Sequence, residues 1–254
     1  MTSIPADTPT FDAIATRLDG VEGWLTLDQA RALHDAARPL VAGQQVVEIG
    51  SFRGRSTTVL GLTAGDGVRV VAIDPHAGND RGPNELDGYA AEAATDHDVF
   101  LANLERAGIT DRVRHLRAFS HDALADVDGD VDVLFIDGAH RYRPALDDIR
   151  EWGARVPIGG TLLIHDAFSS IGVTLAIGRA LLWSRRFRYL GRAGSLAVYR
   201  AQPPASTGDR LANAGRQAAQ LPWFARNVVI KALIVLRLGR VTRLLGHTEP
   251  TWPY

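Results

Sequence analysis

The stretch VVEIGSFRGRST, residues 46–57, decides the predicted fold. An apolar run closes with an acid, an isoleucine and a glycine, a small glycine-containing turn follows, and a helix then starts. This order is typical of a buried parallel strand that passes into a helix at a nucleotide site. Gly50 and Gly54 have no Cβ, so the backbone can come close to a ligand there. The amides at the helix start, with Ser56 and Thr57, can hold a carboxylate or a phosphate.

The charge of this turn indicates which ligand it holds. Its spacing is not G-x-G-x-x-G and no Gly-Lys-Ser/Thr follows, so neither the dinucleotide fingerprint nor the P-loop fits. Glu48 would repel a pyrophosphate, but it suits a ligand with an ammonium or sulfonium charge. S-adenosylmethionine carries both charges, and we predict that it binds at Glu48, Gly50 and Ser51. The alternative is a tight strand–helix turn that binds no ligand.

Composition places the chain among ordinary globular proteins. It has 254 residues, 46% of them hydrophobic and 22% charged, which predicts one domain with an appendage. The formal net charge of −1 gives no indication of a nucleic-acid partner. The absence of cysteine excludes a disulfide framework and thiolate chemistry. Residues 1–7 lack the basic start and apolar core of a signal peptide, so we expect a cytoplasmic protein.

Short apolar segments alternate with helical segments over most of the chain. The predicted strands cover residues 46–49, 69–73, 113–118, 131–136 and 160–164, followed by a hairpin at 187–192 and 195–200. This alternation predicts an α/β, Rossmann-like doubly wound fold, with a mostly parallel seven-stranded sheet and an antiparallel last strand. Ligands on such sheets bind beyond the carboxyl ends of the strands. The residues that follow each strand are therefore the candidate site.

We divide the chain into four segments by composition and pattern. They are residues 1–45, an arm with two helices; residues 46–200, the α/β domain; residues 201–209, a linker; and residues 210–254, a basic helical tail. The second N-terminal helix is predicted at 27–37, where Thr26 is a suitable N-cap.

The tail differs in kind from the rest of the chain. Residues 211–247 contain no acid, and their basic residues are spread among valine, isoleucine and leucine. The apolar run 228–236 is too short to span a bilayer, and Lys231 interrupts it. Residues 222–246 could instead lie in a membrane interface, peripherally at the inner membrane face. The alternative is a helix packed on the domain or on a second copy of the chain.

Two side chains past the second and third strands are candidates for holding the nucleoside part of a cofactor. Asp74 closes the second strand, and its carboxylate can accept hydrogen bonds from both ribose hydroxyls. Its alternative role is that of a helix-capping or loop acid. Ser120 follows the third strand and can face an adenine edge, or it can be the N-cap of a helix that starts at His121.

Two aspartates are predicted at the ends of neighbouring strands. Asp137 and Asp166 place both carboxylates in one crevice, where two like charges need a cation or a shared proton. His165 adds a nitrogen, so Asp137, His165 and Asp166 can bind a divalent metal, Mg²⁺ or Mn²⁺. Without a metal, Asp137 would bind the ammonium of the cofactor and Asp166 would cap a helix.

One histidine is predicted to be catalytic. His140 lies three residues after Asp137, where it can take a proton from a bound hydroxyl at neutral pH. Its alternative is a loop histidine bonded to a backbone carbonyl. Four further histidines have no such neighbours in the sequence and are interpreted as structural or surface residues: His76, His97, His115 and His121.

These motifs resemble those of a known family. Residues 48–56, EIGSFRGRS, are similar to the first motif of class I S-adenosylmethionine-dependent methyltransferases, especially the metal-dependent catechol and caffeoyl-CoA O-methyltransferases. Residues 137–140, DGAH, and the His-Asp pair at 165–166 are more similar to the macrocin and mycinamicin sugar O-methyltransferases and to cephalosporin-hydroxylase-like proteins. The resemblance covers residues 24–200.

The resemblance implies a role for each matching residue. Glu48 and Gly50 would line the methionine end of the cofactor, Ser56 would hold its carboxylate, and Asp74 would hold its ribose. The implied reaction is methyl transfer from S-adenosylmethionine to a hydroxyl of a small molecule, a sugar or a glycosylated natural product. The alternative is a hydroxylase-like or cofactor-binding protein of the same fold that transfers no methyl group.

The same resemblance implies a metal site, from which the chain departs in two ways. Asp137 and Asp166 match metal ligands, and His140 matches the proposed base. The macrolide enzymes have a glutamate where this chain has His165. The catechol type has an asparagine where this chain has Ala167.

Overall fold

The strands form one mixed sheet. The computed structural model describes residues 9–77 and 86–248, with residues 86–94 described by their backbone alone. The strands are β1 Gln45–Ile49, β2 Arg69–Ile73, β3 Val113–Leu116, β4 Val133–Ile136, β5 Thr161–Ile164, β6 Phe187–Ala193 and β7 Leu196–Ala201. Their order in the sheet is β3-β2-β1-β4-β5-β7-β6. Strands β1 to β5 pair in parallel and β7 is antiparallel to both its neighbours, which confirms the predicted seven-stranded sheet.

Helices flank the sheet and continue beyond it. The α-helices of the described residues are α1 Phe11–Arg17, α2 Leu27–Ala37, α3 Arg55–Thr63, α4 Leu86–Ala107, α5 Ser120–Ala123, α6 Tyr142–Glu151, α7 Ile171–Ala180, α8 Thr207–Ala218 and α9 Leu221–Val235. Short 3-10 helices cover Thr110–Arg112, Gly153–Arg155 and Val241–Leu245. Thr26 is the N-cap of α2, as predicted, and forms a reciprocal capping box with Gln29.

The sheet is buried on both faces because its central strands are almost wholly apolar. Successive strand residues point to opposite faces, so Val46 and Val47 enter different hydrophobic clusters. One cluster lies between the sheet and α6 and α7, and the other lies against α1 to α4. Glu48 shares the face of Val46 and is completely buried. The first strand therefore carries a carboxyl group into the core.

Several predicted boundaries shift by a few residues. Strand β3 ends at Leu116 because the chain turns there, with the amide of Ala118 bonded to the Leu116 carbonyl. Helix α6 begins at Tyr142 and has Pro144 in its first turn. Amides of the first turn have no acceptor within the helix, so the missing N–H of proline costs no hydrogen bond there. The polar segment between β2 and α4 lies mostly outside the described residues, and α4 begins at Leu86.

The tail is partly packed on the α/β core. The side-chain oxygen of Asn213 in α8 accepts a hydrogen bond from the amide of Tyr189 at 2.8 Å, and its nitrogen donates to the carbonyl of Phe187 at 3.2 Å. Helix α8 thus covers the edge strand β6. Among the described helices, none has the length and apolar character needed to cross a bilayer.

Candidate active site

The carboxyl ends of the parallel strands bring the predicted acids to one edge of the sheet. Asp74 follows β2, Asp137 follows β4, and Asp166 follows β5 by two residues. Both Asp74 and Asp137 act electrostatically on Glu48 in β1. This edge is therefore the candidate active site, as the topology predicted.

Gly50 lets two turns touch at this edge. Its φ is 89°, and a Cβ built on it would lie 2.3 Å from the carbonyl oxygen and 2.5 Å from the carbonyl carbon of Asp137. A glycine is needed at this position because any side chain would overlap the backbone that follows β4. Close approach of a ligand, the reason inferred from the sequence, stays a prediction.

Glu48 has an unusual environment for a carboxyl group. Its Oε2 accepts a hydrogen bond from the Thr57 hydroxyl at 2.5 Å, whereas its Oε1 is buried with no partner among the described residues. Burial raises the pKa of Glu48 to about 8, although hydrogen bonds from Ser56 and Thr57 lower it. At neutral pH the group is therefore mostly protonated until a cation comes near.

This arrangement involves the small polar residues in the turn. The Thr57 hydroxyl is fully buried and donates to Glu48. The predicted contact of Thr57 with the cofactor stays a prediction. Ser51 is buried, and its hydroxyl has no partner among the described residues. The unpartnered atoms of Glu48 and Ser51 belong to the end of β1 and the turn that follows it, as expected for a polar ligand site. The contact of Ser56 with the methionine carboxylate stays a prediction.

Asp74 connects the turns after β1 and β2. Its Oδ2 accepts the amide of Phe52 at 2.8 Å, and its Oδ1 accepts the amide of His76 at 2.7 Å. Each carboxylate oxygen has a second lone pair, so the predicted contact with ribose hydroxyls is compatible with both bonds.

Ser120 is not an N-cap. Phe119 precedes α5 as its cap residue, and Ser120 is the first residue of the helix. The Ser120 hydroxyl donates to the carboxylate of Asp148, whose pKa burial raises to about 6. The adenine contact of Ser120 stays a prediction, and in the structure its hydroxyl is bonded to α6.

Two histidines and two aspartates form a compact cluster. The Nε2 of His140 is hydrogen-bonded to Oδ2 of Asp166. The Nδ1 of His165 lies 3.0 Å from Oδ1 of Asp137 and 3.7 Å from Oδ2 of Asp166. The His165 and Asp166 side chains are buried, whereas Asp137 and His140 are partly exposed to the crevice.

A protonated histidine offsets part of the negative charge of the two carboxylates in this cluster. Burial lowers the pKa of His165, but Asp137 and Asp166 raise it to about 10, so the imidazole is protonated. Burial raises the pKa of Asp166, but hydrogen bonds from His140 and His165 bring it well below its usual value. The cation that the two carboxylates require is supplied, at least in part, by the His165 imidazolium.

The group that fits a metal differs from the predicted one. Asp137, His140 and Asp166 each present one ligand atom, and these atoms lie within 4.8 Å of one another; no other such group occurs among the described residues. This group contains His140, whereas the predicted set contains His165, whose Nδ1 lies beside the same two carboxylates. The metal contact of His165 stays a prediction. The Nε2 of His165 points away from this group, 3.3 Å from Oε1 of Gln29.

Comparison with known proteins identifies a family that matches the part of the chain containing this site. Residues 47–167 match the model of a methyltransferase domain family. This part of the chain is a methyltransferase domain. The match agrees with the resemblance of the first motif to that of S-adenosylmethionine-dependent methyltransferases. The matched residues include every predicted site residue of the domain.

Three solved structures are similar to the chain over most of its length. Cofactor-bound Rv0187 from MTB is 21% identical, covers 80% of this chain and 94% of its own, and has a TM-score of 0.54. The O-methyltransferase TomG from Streptomyces achromogenes, in complex with SAM and involved in tomaymycin synthesis, is 16% identical, with coverages of 78% and 92% and a TM-score of 0.54. An O-methyltransferase from Bacillus cereus in complex with SAH is 19% identical, with coverages of 78% and 93% and a TM-score of 0.52. At these identities the likeness shows the fold of the methyltransferase domain.

Three residues that support the methyltransferase site were not predicted. A Cβ on Gly172 would lie 2.2 Å from the carbonyl oxygen of His140, so the start of α7 packs directly on the His140 loop. Ser170 donates to the same carbonyl at 3.3 Å. Buried Gln29 contacts His165 from α2. Of the three residues, only Gly172 could have been found from the sequence, because a glycine can mark a close approach of two backbones.

His76, His97 and His115, interpreted above as structural or surface residues, pack against one another. The Nε2 atoms of His76 and His115 are 3.2 Å apart, and the ring of His97 lies 5.1 and 5.2 Å from those of His76 and His115. Burial lowers the pKa of His115 to about 4 and also lowers that of His76. The rings of His76 and His115 are thus neutral at pH 7, and that of His76 lies beside Asp74.

His115 should make the fold sensitive to acid. The unfolded chain protonates this residue below its ordinary pKa of 6.5, whereas the folded chain does so only near 4. Unfolding therefore takes up a proton between these values, and the free energy of unfolding falls as the pH drops through this window. We expect His115→Gln to lose less stability than wild type between pH 7 and pH 5 in denaturant titrations, with His121→Gln, at an exposed position, as the control.

Proposed function

We propose that the protein transfers a methyl group from S-adenosylmethionine to a hydroxyl oxygen of a sugar or glycosylated natural product. The observation that carries this proposal is the pairing of His140 with buried Asp166 at the crevice edge. Two features support the choice of acceptor: the resemblance of residues 137–140 and 165–166 to sugar O-methyltransferases, and similar folds in proteins described as O-methyltransferases.

The chemistry follows from the orientation of His140. Asp166 is ionised and accepts a hydrogen bond from Nε2. This fixes the tautomer that leaves Nδ1 free to accept a proton, and Nδ1 has no partner among the described residues. His140 would take the proton of the acceptor hydroxyl as the oxygen bonds to the methyl carbon. S-adenosylmethionine, when bound, supplies that methyl group on a positively charged sulfur, which leaves as a neutral thioether.

The protein residues would also position the cofactor. Asp74 would accept the ribose hydroxyls, and Glu48 would face the ammonium of the methionine part. Asp137 is partly exposed and lies between Gly50 and His165, so its carboxylate can face the same ammonium. Holding both reactants near attack geometry supplies roughly 7–11 kcal/mol in favourable cases.

A divalent cation also fits this site. Asp137, His140 and Asp166 would hold Mg²⁺ or Mn²⁺ with two oxygens and one nitrogen. A cation there would supply Lewis-acid stabilisation of the acceptor oxygen. The two arrangements compete for His140, because a nitrogen that binds metal cannot take a proton.

The proposed function is tested by incubating the protein with labelled S-adenosylmethionine and a panel of glycosides. Transfer of label to the acceptor supports it, whereas a product that gains an oxygen atom assigns the hydroxylase-like alternative. Repeating the assay after chelation distinguishes His140 acting as a base without metal from His140 acting as a metal ligand. An unchanged rate assigns proton removal by His140 without metal, and a loss restored by Mn²⁺ assigns a metal site.

Cofactor binding should release a proton at Glu48. The free group is mostly protonated at pH 7 because its pKa is about 8, and an ammonium nearby favours the ionised form. We expect S-adenosylmethionine to release up to one proton per molecule bound, measured by calorimetry at pH 7 in two buffers of different ionisation enthalpy. Glu48→Gln has no such proton and serves as the control. Equal heats of binding for the wild-type protein in the two buffers would show that no proton is released, and would contradict the assignment of Glu48 to the ammonium site.

A further inference from the structure

Helix α9 packs on the domain by one side. Asn227 and Ile230 are completely buried, and the side-chain nitrogen of Asn227 donates to the carbonyl of Phe168 at 3.3 Å. Phe168 belongs to the loop that follows Asp166. The buried side of the helix is therefore attached next to the active-site loop.

The opposite side of α9 is apolar and exposed. Residues 221, 225, 229, 232 and 236 follow helical spacing, are all exposed, and are Leu, Ala, Val, Ala and Leu. A surface helix of a globular protein normally turns its polar side to solvent. Helix α9 instead exposes an apolar side.

The exposed apolar surface continues past the helix end. Val235 and Leu236 are 69% and 67% exposed, and Leu244 in the last 3-10 helix is 87% exposed. Leu238 and Val241 are also exposed. We call these residues, together with Leu221 and Val229, the tail surface. Large apolar side chains exposed close together in the chain often mark an interaction surface.

The charge around the tail surface has one sign. Residues 210–248 contain seven arginines and lysines and no carboxylate, although the whole chain has a net charge of −1. Arg237, Arg240 and Arg243 are exposed and alternate along the chain with exposed Leu238, Val241 and Leu244. The partner of this surface must accept apolar side chains and carry negative charge.

We infer that the tail surface docks on an anionic lipid bilayer, lying in its interface rather than crossing it. The bilayer interface accepts leucine and valine at the depth of the acyl chains and offers anionic headgroups to arginine. A second copy of the chain fits less well, because a symmetric contact would place the same cations opposite one another. Docking would place the proposed methyl transfer at a membrane surface. The inference does not depend on the proposed function.

The test uses the full chain and two kinds of vesicle. We expect sedimentation with vesicles of phosphatidylglycerol and phosphatidylcholine, no measurable binding to pure phosphatidylcholine, and weaker binding at high salt. Each basic residue near an anionic surface strengthens binding about fivefold. The variant Arg237→Gln/Arg240→Gln/Arg243→Gln should therefore bind about 10²-fold more weakly.

Matched variants separate docking from folding. The charge control is Arg38→Gln/Arg106→Gln/Arg185→Gln, which removes exposed arginines outside the tail. Leu236→Asp should reduce binding, whereas Ile158→Asp, also at a position 67% exposed, should not. Melting curves check that each variant is folded.

Three outcomes would overturn the inference. The first is no wild-type binding to anionic vesicles, and the second is equal binding to neutral ones. The third is a wild-type dimer in light scattering that Leu236→Asp converts to a monomer, without vesicle binding by either form. That result would assign the tail surface to a contact between copies.

Discussion

Replacing His140 with alanine should lower kcat for methyl transfer by roughly 10²- to 10⁴-fold, the usual contribution of a positioned base. The side chain removed is bonded to Asp166 and borders the crevice. The proposed cofactor contacts of Glu48 and Asp74 lie in or directly after β1 and β2 and would remain intact. We therefore expect the KM for S-adenosylmethionine to change little, so the loss appears in kcat.

A second histidine serves as the control for this variant. His121→Ala removes an exposed imidazole that contacts only Asp122 among the described acids, and it should leave kcat unchanged. The measurement is the initial rate of methyl transfer to the true acceptor by the wild type and by each of the two variants. Wild-type turnover by His140→Ala would remove the base assignment, and loss of activity in both variants would show a general effect on the fold.

Gly50→Ala should destabilise the protein and weaken cofactor binding. A left-handed backbone costs an alanine about 1–2 kcal/mol relative to glycine. The added Cβ would also overlap the Asp137 carbonyl, 2.3 Å away, and overpacking of this kind typically costs a further 1–3 kcal/mol. The turns after β1 and β4 must separate to relieve the overlap, which displaces Asp137 from the crevice.

Gly43 offers a matched control for the backbone strain. Its φ is 90°, nearly that of Gly50, but a Cβ there has no neighbour within 4 Å. Denaturant titration should show Gly43→Ala losing only the cost of the left-handed conformation. Equal losses in free energy of unfolding for the two alanine variants would show that contact with Asp137 does not determine the need for Gly50.

The sequence predicted the fold because each signal for it is local. Apolar runs such as 46–49 and 69–73 mark buried strands, and Thr26 marks the start of α2. Parallel connection then places the carboxyl ends of the strands at one edge. The positions of Asp74, Asp137 and Asp166 followed from that topology alone.

The pairing of side chains within the site could not be predicted in the same way. His140 was expected beside the metal site, and the structure places it within the metal-compatible group, bonded to Asp166. His165 lies beside Asp137 and Asp166 through its Nδ1, and its Nε2 also contacts Gln29, which lies 136 residues away in the sequence. Such contacts depend on side-chain direction and on packing between distant elements, which residue spacing does not specify.

The histidine cluster illustrates the same limit. His76 follows β2, His97 lies in α4, and His115 lies in β3, so none has a neighbouring histidine in the sequence. Only the parallel pairing of β2 with β3 and the packing of α4 bring the three rings together. Similarly, the need for glycine at position 172 arises from the backbone of His140, on a different loop.

The most direct test of the account is a crystal structure with S-adenosylhomocysteine. We predict that its ribose hydroxyls bond to Asp74 and that its ammonium lies within hydrogen-bond distance of Glu48, whose Oε1 has no other partner among the described residues. Its sulfur should face the crevice beside His140. An empty crevice at saturating ligand, or a ligand bound away from the turn at residues 50–54, would contradict the account.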